Sequence, residues 1–268
     1  MSTYTQSMFD SIKTALQESS AGSGTNVRAD ILKFKPGNQY DLRLLPNIKE
    51  PEKTFFHYYN QSWTSFCTGQ YVSAMSPQTF NKPDIIATTK FKLKATGTEE
   101  EKRRADTIRR SEQWLVNVFV IDDPTTPENN GQVKIMRFGK QLHTIVMDCL
   151  QDTDETAVGA RAFDLSSNGC NFRVKVDKQG DFPSYVTSKF LLPSALPAID
   201  EAAVMDSIYE LDQVFNLKSD AELLTMLDEH LYCGESSAAA TETPATAPPV
   251  DKSLEEEVPM DFPVKETV

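Results

Sequence analysis

Histidine and cysteine are scarce: three and four residues in a chain of 268, with no Cys-x-x-Cys pair. His57, His143 and His230 leave little for acid–base catalysis. The phosphate-binding loop, His-Glu-x-x-His, Gly-x-Ser-x-Gly and Gly-x-Gly-x-x-Gly are all missing, so the chain reads as a non-enzyme. The adjacent acids, Asp122-Asp123 and Glu99 to Glu101, fall in turn-like or charged stretches and read as solvated. Cys67, Cys149, Cys170 and Cys233 are scattered, which predicts reduced thiols in a cytosol-like compartment. No apolar run approaches the roughly 18 residues of a membrane span. Residues 1–9 carry neither a basic region nor a continuous apolar stretch, so no secretory signal is expected.

Positive charge is outnumbered overall, with 27 Lys and Arg against 39 Asp and Glu, net −12. That average conceals a dipolar chain. Residues 28–145 hold 18 basic and 13 acidic side chains, net +5, whereas residues 146–233 hold 6 and 16, net −10. Residues 234–268 add a further −6. A basic block ahead of an acidic block suits a polyanion on one surface only.

Residues 3–18 repeat apolar side chains every four positions (Tyr4, Met8, Ile12, Leu16), which predicts an amphipathic helix, and residues 19–26 read as a linker. From residue 31 to about 190 the signals are strands and turns. Residues 39–45 alternate and stop at Pro46, and residues 113–121 and 132–138 flank the turn-rich DDPTTPENNG. Residues 170–177 alternate apolar Cys170, Phe172, Val174 and Val176 with polar neighbours. Helical spacing recurs over 141–151, about 200–215 and 220–232, the last opened by a Ser219-x-x-Glu222 capping box and ended before Gly234. The predicted fold is α+β with a mostly-β core, in three parts: helix and linker 1–27, core 28–233 and a disordered acidic tail 234–268.

The basic block interleaves cations with rings. Arg43 stands alone; Tyr58, Tyr59, Trp63, Phe66 and Tyr71 cluster; Lys102, Arg103, Arg104, Arg109 and Arg110 lead into Trp114; Arg137, Phe138 and Lys140 end the hairpin; Phe182 and Tyr185 follow. Unpaired nucleic acid needs this mixture, since cations follow phosphates and aromatic faces stack on bases. A small OB-type barrel is the usual scaffold. The competing explanation is that any one of these rings is simply core.

Three stretches resemble the helix-destabilising, single-stranded DNA-binding proteins of T-even-type bacteriophages. They are residues 113–140 (QWLVNVFVIDDPTTPENNGQVKIMRFGK), residues 171–200 with Phe182, Tyr185 and Ser188-Lys189-Phe190, and residues 41–46 around Arg43. The resemblance implies an OB-fold core between a self-association segment and an acidic arm. It also implies coating of single-stranded DNA during replication, recombination and repair in the host cell cytoplasm. It places Arg43, Arg109, Arg110, Arg137 and Lys140 at the DNA cleft, with Trp114, Phe182 and Tyr185 on its aromatic side and Met136 at a stacking position; Tyr59 and Trp63, from the aromatic cluster, complete the expected base contacts. An adaptor that binds replication proteins without holding DNA strongly is the alternative.

Three departures stand out. The family's structural zinc site resembles one His and three Cys; here only His57 and Cys67 could correspond, so no zinc is expected, and packing around Phe55, Phe56, Tyr58 and Trp63 is the proposed substitute. Residues 1–12 lack the family's basic cluster, so self-association would use the apolar face of the first helix, unless that face packs on its own core. Met136 stands where relatives carry a tyrosine. In the tail, Asp261 and Phe262 lie in Pro-Met-Asp-Phe-Pro, a short docking pattern for replication and recombination partners. The tail could equally cover the basic groove, or merely solubilise.

Overall fold

The computed structural model describes residues 30–151, 158–180, 182–196 and 199–234. The expected first helix, its linker and the acidic tail with Asp261 and Phe262 lie outside these residues.

The frame is one long strand. β4 (Arg109–Asp122) serves three partners at once. Along one edge its first half pairs with β2 (Phe55–Thr64) and its second half with β1 (Gln39–Leu45); β5 (Val133–Phe138) takes the other edge. Six consecutive residues of β4, Leu115 to Val120, are therefore buried, as a strand covered on both faces requires. β3 (Tyr71–Met75) extends the sheet beyond β2, while β6 (Cys170–Lys175) and β9 (Lys189–Pro193) extend it beyond β1. The pairing is antiparallel throughout these ladders. A closed barrel was expected, but among the described residues no ladder joins β9 back to β3 or β5, so the sheet stays open. A small hairpin, β7 (Asp177–Gln179) with β8 (Phe182–Ser184), stands apart.

The DDPTTPENNG loop is built around one carboxylate. Asp123 accepts from Thr125 N, Thr126 N and Asn129 Nδ2 at 2.9, 2.9 and 2.8 Å, and Asn130 Oδ1 accepts from Asp123 N at 2.7 Å. This satisfies the turn's backbone donors and fixes the β4–β5 register.

Residues 81–107, expected as strands and turns, instead form α1 (Ile85–Thr96) and α2 (Glu99–Thr107). Both carry start signals: the Asp84 side chain caps Ala87 N, and Thr98 with Glu101 forms a capping box. With α5 (Asp220–Leu227) they enclose a lobe whose core includes Trp63, Ile86, Leu93, Ala105, Leu223 and Leu231. Of the four aromatics proposed to replace a metal there, only Trp63 does so; Phe55 packs with the sheet core, and Phe56 and Tyr58 with Leu115 and Ile135.

The helix expected over 200–215 is cut short to α4 (Glu201–Asp206). Asn117, buried in β4, donates to Tyr209 O at 2.9 Å and accepts from Tyr209 N at 3.0 Å. That clasp takes both backbone groups of Tyr209, which a continuing helix would need for itself. The capping box at Ser219 forms as expected, and Cys233 and Gly234 adopt left-handed conformations after the last turn.

Two cysteines are not thiols. Cys67, in the turn after β2, is disulfide-bonded to Cys233, 166 residues away, correcting the expectation that all four are reduced. Around the bond, Phe66 N donates to His230 O at 3.1 Å and His230 Nδ1 meets Ser65 Oγ at 3.2 Å, so the end of the C-terminal helix is tied to the β2–β3 turn. Separation in sequence hid this pairing.

Candidate nucleic-acid interface

On β2 and the first half of β4, residues of the same parity face one side of the sheet. Register sets His57 opposite Trp114, Tyr59 opposite Glu112, and Phe138 of β5 opposite Trp114 on the other edge. The result is a continuous row. His57 stacks on the Trp114 indole at 4.9 Å between centroids and meets Tyr59 edge-on at 4.8 Å. The Arg110 guanidinium covers the Tyr59 ring at 3.7 Å, well inside cation–π range. Towards the core the row continues through Phe138, Phe55 and Phe163 at 6.1–6.3 Å steps. Its outer end is accessible: Arg110 and His57 are exposed, Tyr59 and Trp114 half-buried.

α3 (Lys140–Gln151) roofs one side of the row. Its apolar face buries Leu142 and Val146 on the sheet core, which turns His143 onto Trp114 at 4.0 Å. Partial burial pushes the His143 pKa below its ordinary value, the Glu112 carboxylate opposes that shift, and the His57 charge reinforces it. Glu112 Oε1 also stands 3.7 Å from His57 Nε2. The same helix reaches the second group of expected residues: Tyr185 N donates to Gln141 Oε1 at 3.1 Å. Tyr185 packs edge-on to Phe34 at 6.4 Å, and burial raises its phenol pKa against the nearby Arg137 charge. Arg137 and Lys140 are exposed, and Phe182 is 77% exposed at the tip of its hairpin.

Three expected contact residues are placed elsewhere. Arg43 is wholly buried, and its guanidinium donates to Asn171 Oδ1 (2.9 and 2.5 Å), Ser194 O (2.9 Å) and Asp164 O. A Cβ at Gly169 would collide with Asp164 O and Arg43 Nη1, so glycine makes room for this arrangement. Burial pulls the Arg43 pKa down. Trp63 is core of the helical lobe, 2% exposed, and Met136 is 0% exposed in the sheet core. None of the three offers a surface to a strand. In the basic run, Lys102 pairs with Glu99 at 2.9 Å and Arg104 with Glu100 at 2.6 Å within α2. Arg110 is the cation laid on the row, whereas Arg109, opposite Ser62, falls on the other parity of β4 and is exposed there.

The residues missed from sequence are His57 and His143 as members of the row. The strand register and the helix following Phe138-Gly139 carry that information, but only once pairing is known.

The zinc site of the resembling family does not fit these residues. His57, in β2, packs on Trp114, while Cys67 lies in the turn beyond the end of that strand and is bonded to Cys233. Among the described residues no group of three or more His, Cys, Asp or Glu is placed to hold a metal. Nor is any helix among them long and apolar enough to cross a membrane.

Residues 35–231 match the family described as gp32 DNA binding protein like. The chain is 25% identical over 171 residues to the single-stranded DNA-binding protein of Enterobacteria phage T4, an alignment covering 63% of this chain and 56% of that relative. To the same-named protein of Enterobacteria phage T2 it is also 25% identical, over 63% of this chain and 55% of the relative. Each alignment therefore spans little more than half of the relative's length.

Proposed function

The chain belongs to the gp32-like DNA-binding family, and on that premise we propose that it binds single-stranded DNA without regard to sequence. Arg109, Arg110, Arg137 and Lys140 neutralise phosphates, while Tyr59, Trp114, Phe182 and Tyr185 stack on bases. Arg43, Trp63 and Met136 leave the contact set and become structural. The observation that carries the reading is the row from Arg110 through Tyr59 and His57 to Trp114, because rings and an exposed guanidinium lie side by side on one open face. The scaffold is read as an open variant of the OB type.

By the same reading the protein coats unpaired strands during phage-type replication, recombination and repair inside the host cell. Asp261 and Phe262 would recruit protein partners, and copies would associate along the strand. The test is fluorescence. Trp63 is enclosed, so quenching by oligo-dT reports on Trp114 and disappears in Trp114→Phe. Affinity should fall with salt at a log–log slope of about −0.7 per phosphate neutralised. Absence of quenching together with no retention on single-stranded DNA cellulose favours the adaptor reading.

A further inference from the structure

Two imidazoles sit in the middle of the proposed strand-binding face, where nothing in a purely phosphate-and-ring design calls for them. His57 is exposed, stacked on Trp114 and in contact with Glu112 at 3.7 Å. His143 is half-buried against the same indole at 4.0 Å. The face also holds one carboxylate that works against a polyanion: Glu112, directly across from Tyr59. Resting on the proposal that this face takes single-stranded DNA, we infer that His57 and His143 are further strand-contacting residues, and that seating a strand loads them with protons.

The charges around them set the sign. Glu112 on β4 favours protonated His143. The neighbouring His57 opposes it, and Arg110 over Tyr59 and Lys140 at the start of α3 are the other cations of this region. In the unliganded protein, burial against the indole is the largest of these effects on His143 and holds its pKa below the ordinary value. A phosphate backbone laid along the row adds negative charge beside both rings, so the protonated forms gain. The strand therefore binds the protonated protein more tightly, and by linkage its binding takes up protons. The third histidine, His230, is hydrogen-bonded to Ser65 beside the disulfide and has no part in this.

The experiment uses the full chain and a fluorescein-labelled oligo-dT at constant ionic strength between pH 5.5 and 8.5. Affinity should rise as pH falls through the histidine range, approaching about tenfold per pH unit for each proton taken up. Calorimetry in two buffers of different ionisation enthalpy should show net proton uptake on binding by the unaltered protein, which keeps the test independent of any variant's folding. The His57→Gln, His143→Gln double variant should lose the pH dependence, and His230→Gln should keep it. Tight binding with no pH dependence and no proton uptake overturns the inference and leaves the DNA-binding reading intact, as does a slope that survives the double variant or vanishes in His230→Gln. Failure to bind at any pH overturns the DNA-binding reading itself.

Discussion

The Arg110 guanidinium lies 3.7 Å from the centroid of the Tyr59 ring, from the adjacent strand. An arginine so placed holds a ring in position and still presents donors outward to a phosphate. Arg110→Ala is expected to weaken oligo-dT binding about tenfold at low salt and to flatten the salt slope by about 0.7. The Arg110→Ala, Tyr59→Ala cycle should show a coupling of about 0.5–1 kcal/mol, measured by fluorescence titration. The loss should be equal for oligo-dT and mixed-sequence strands, because phosphate contacts carry no base information.

Arg43 is expected to behave in the opposite way. Its removal leaves Asn171 Oδ1, Ser194 O and Asp164 O without the donor that serves them around a wholly buried side chain, so Arg43→Met should cost about 3 kcal/mol of stability in urea unfolding. The salt slope of strand binding by the folded fraction should match that of the unaltered protein.

Acid should weaken the unliganded fold through His143. Its folded pKa is depressed, so the unfolded chain binds more protons, and stability is lost as pH falls through the ordinary histidine value near 6.5. Thermal unfolding at pH 7.5 and 5.5 is the measurement, and His143→Gln should narrow the gap between the two melting temperatures.

Cys67–Cys233 closes a large loop between the β2–β3 turn and the end of the C-terminal helix. Disulfides of this kind contribute about 2–4 kcal/mol, and the reduced protein should melt about 5–15 °C lower. Cys233→Ser should melt like the reduced protein and no longer respond to reductant.

Much of the sheet was legible from residues alone. The alternation of 39–45 and 170–177, the apolar run of β4 and the turn chemistry around Asp123 each specify a strand or loop by local rules. The two helices over 85–107 were not, because their surfaces are polar and lysine-rich and only Asp84 and Thr98-x-x-Glu101 announce them. The site was half legible. Arg110, Tyr59 and Trp114, which the structure brings onto one face, were each singled out by the mixture of cations and rings. Whether Arg43 or Arg110 faces solvent, and whether Trp63 or Trp114 belongs to the core, depends on which elements cover each strand, and composition does not encode that. A disulfide across 166 residues depends on the finished fold even more completely.

That cross-link also changes what a protease can do to the molecule. A single cut at any peptide bond between Cys67 and Cys233 leaves both fragments joined through sulfur. On a non-reducing gel the nicked protein would still run as one species, and its pieces would part only when a thiol reagent is added.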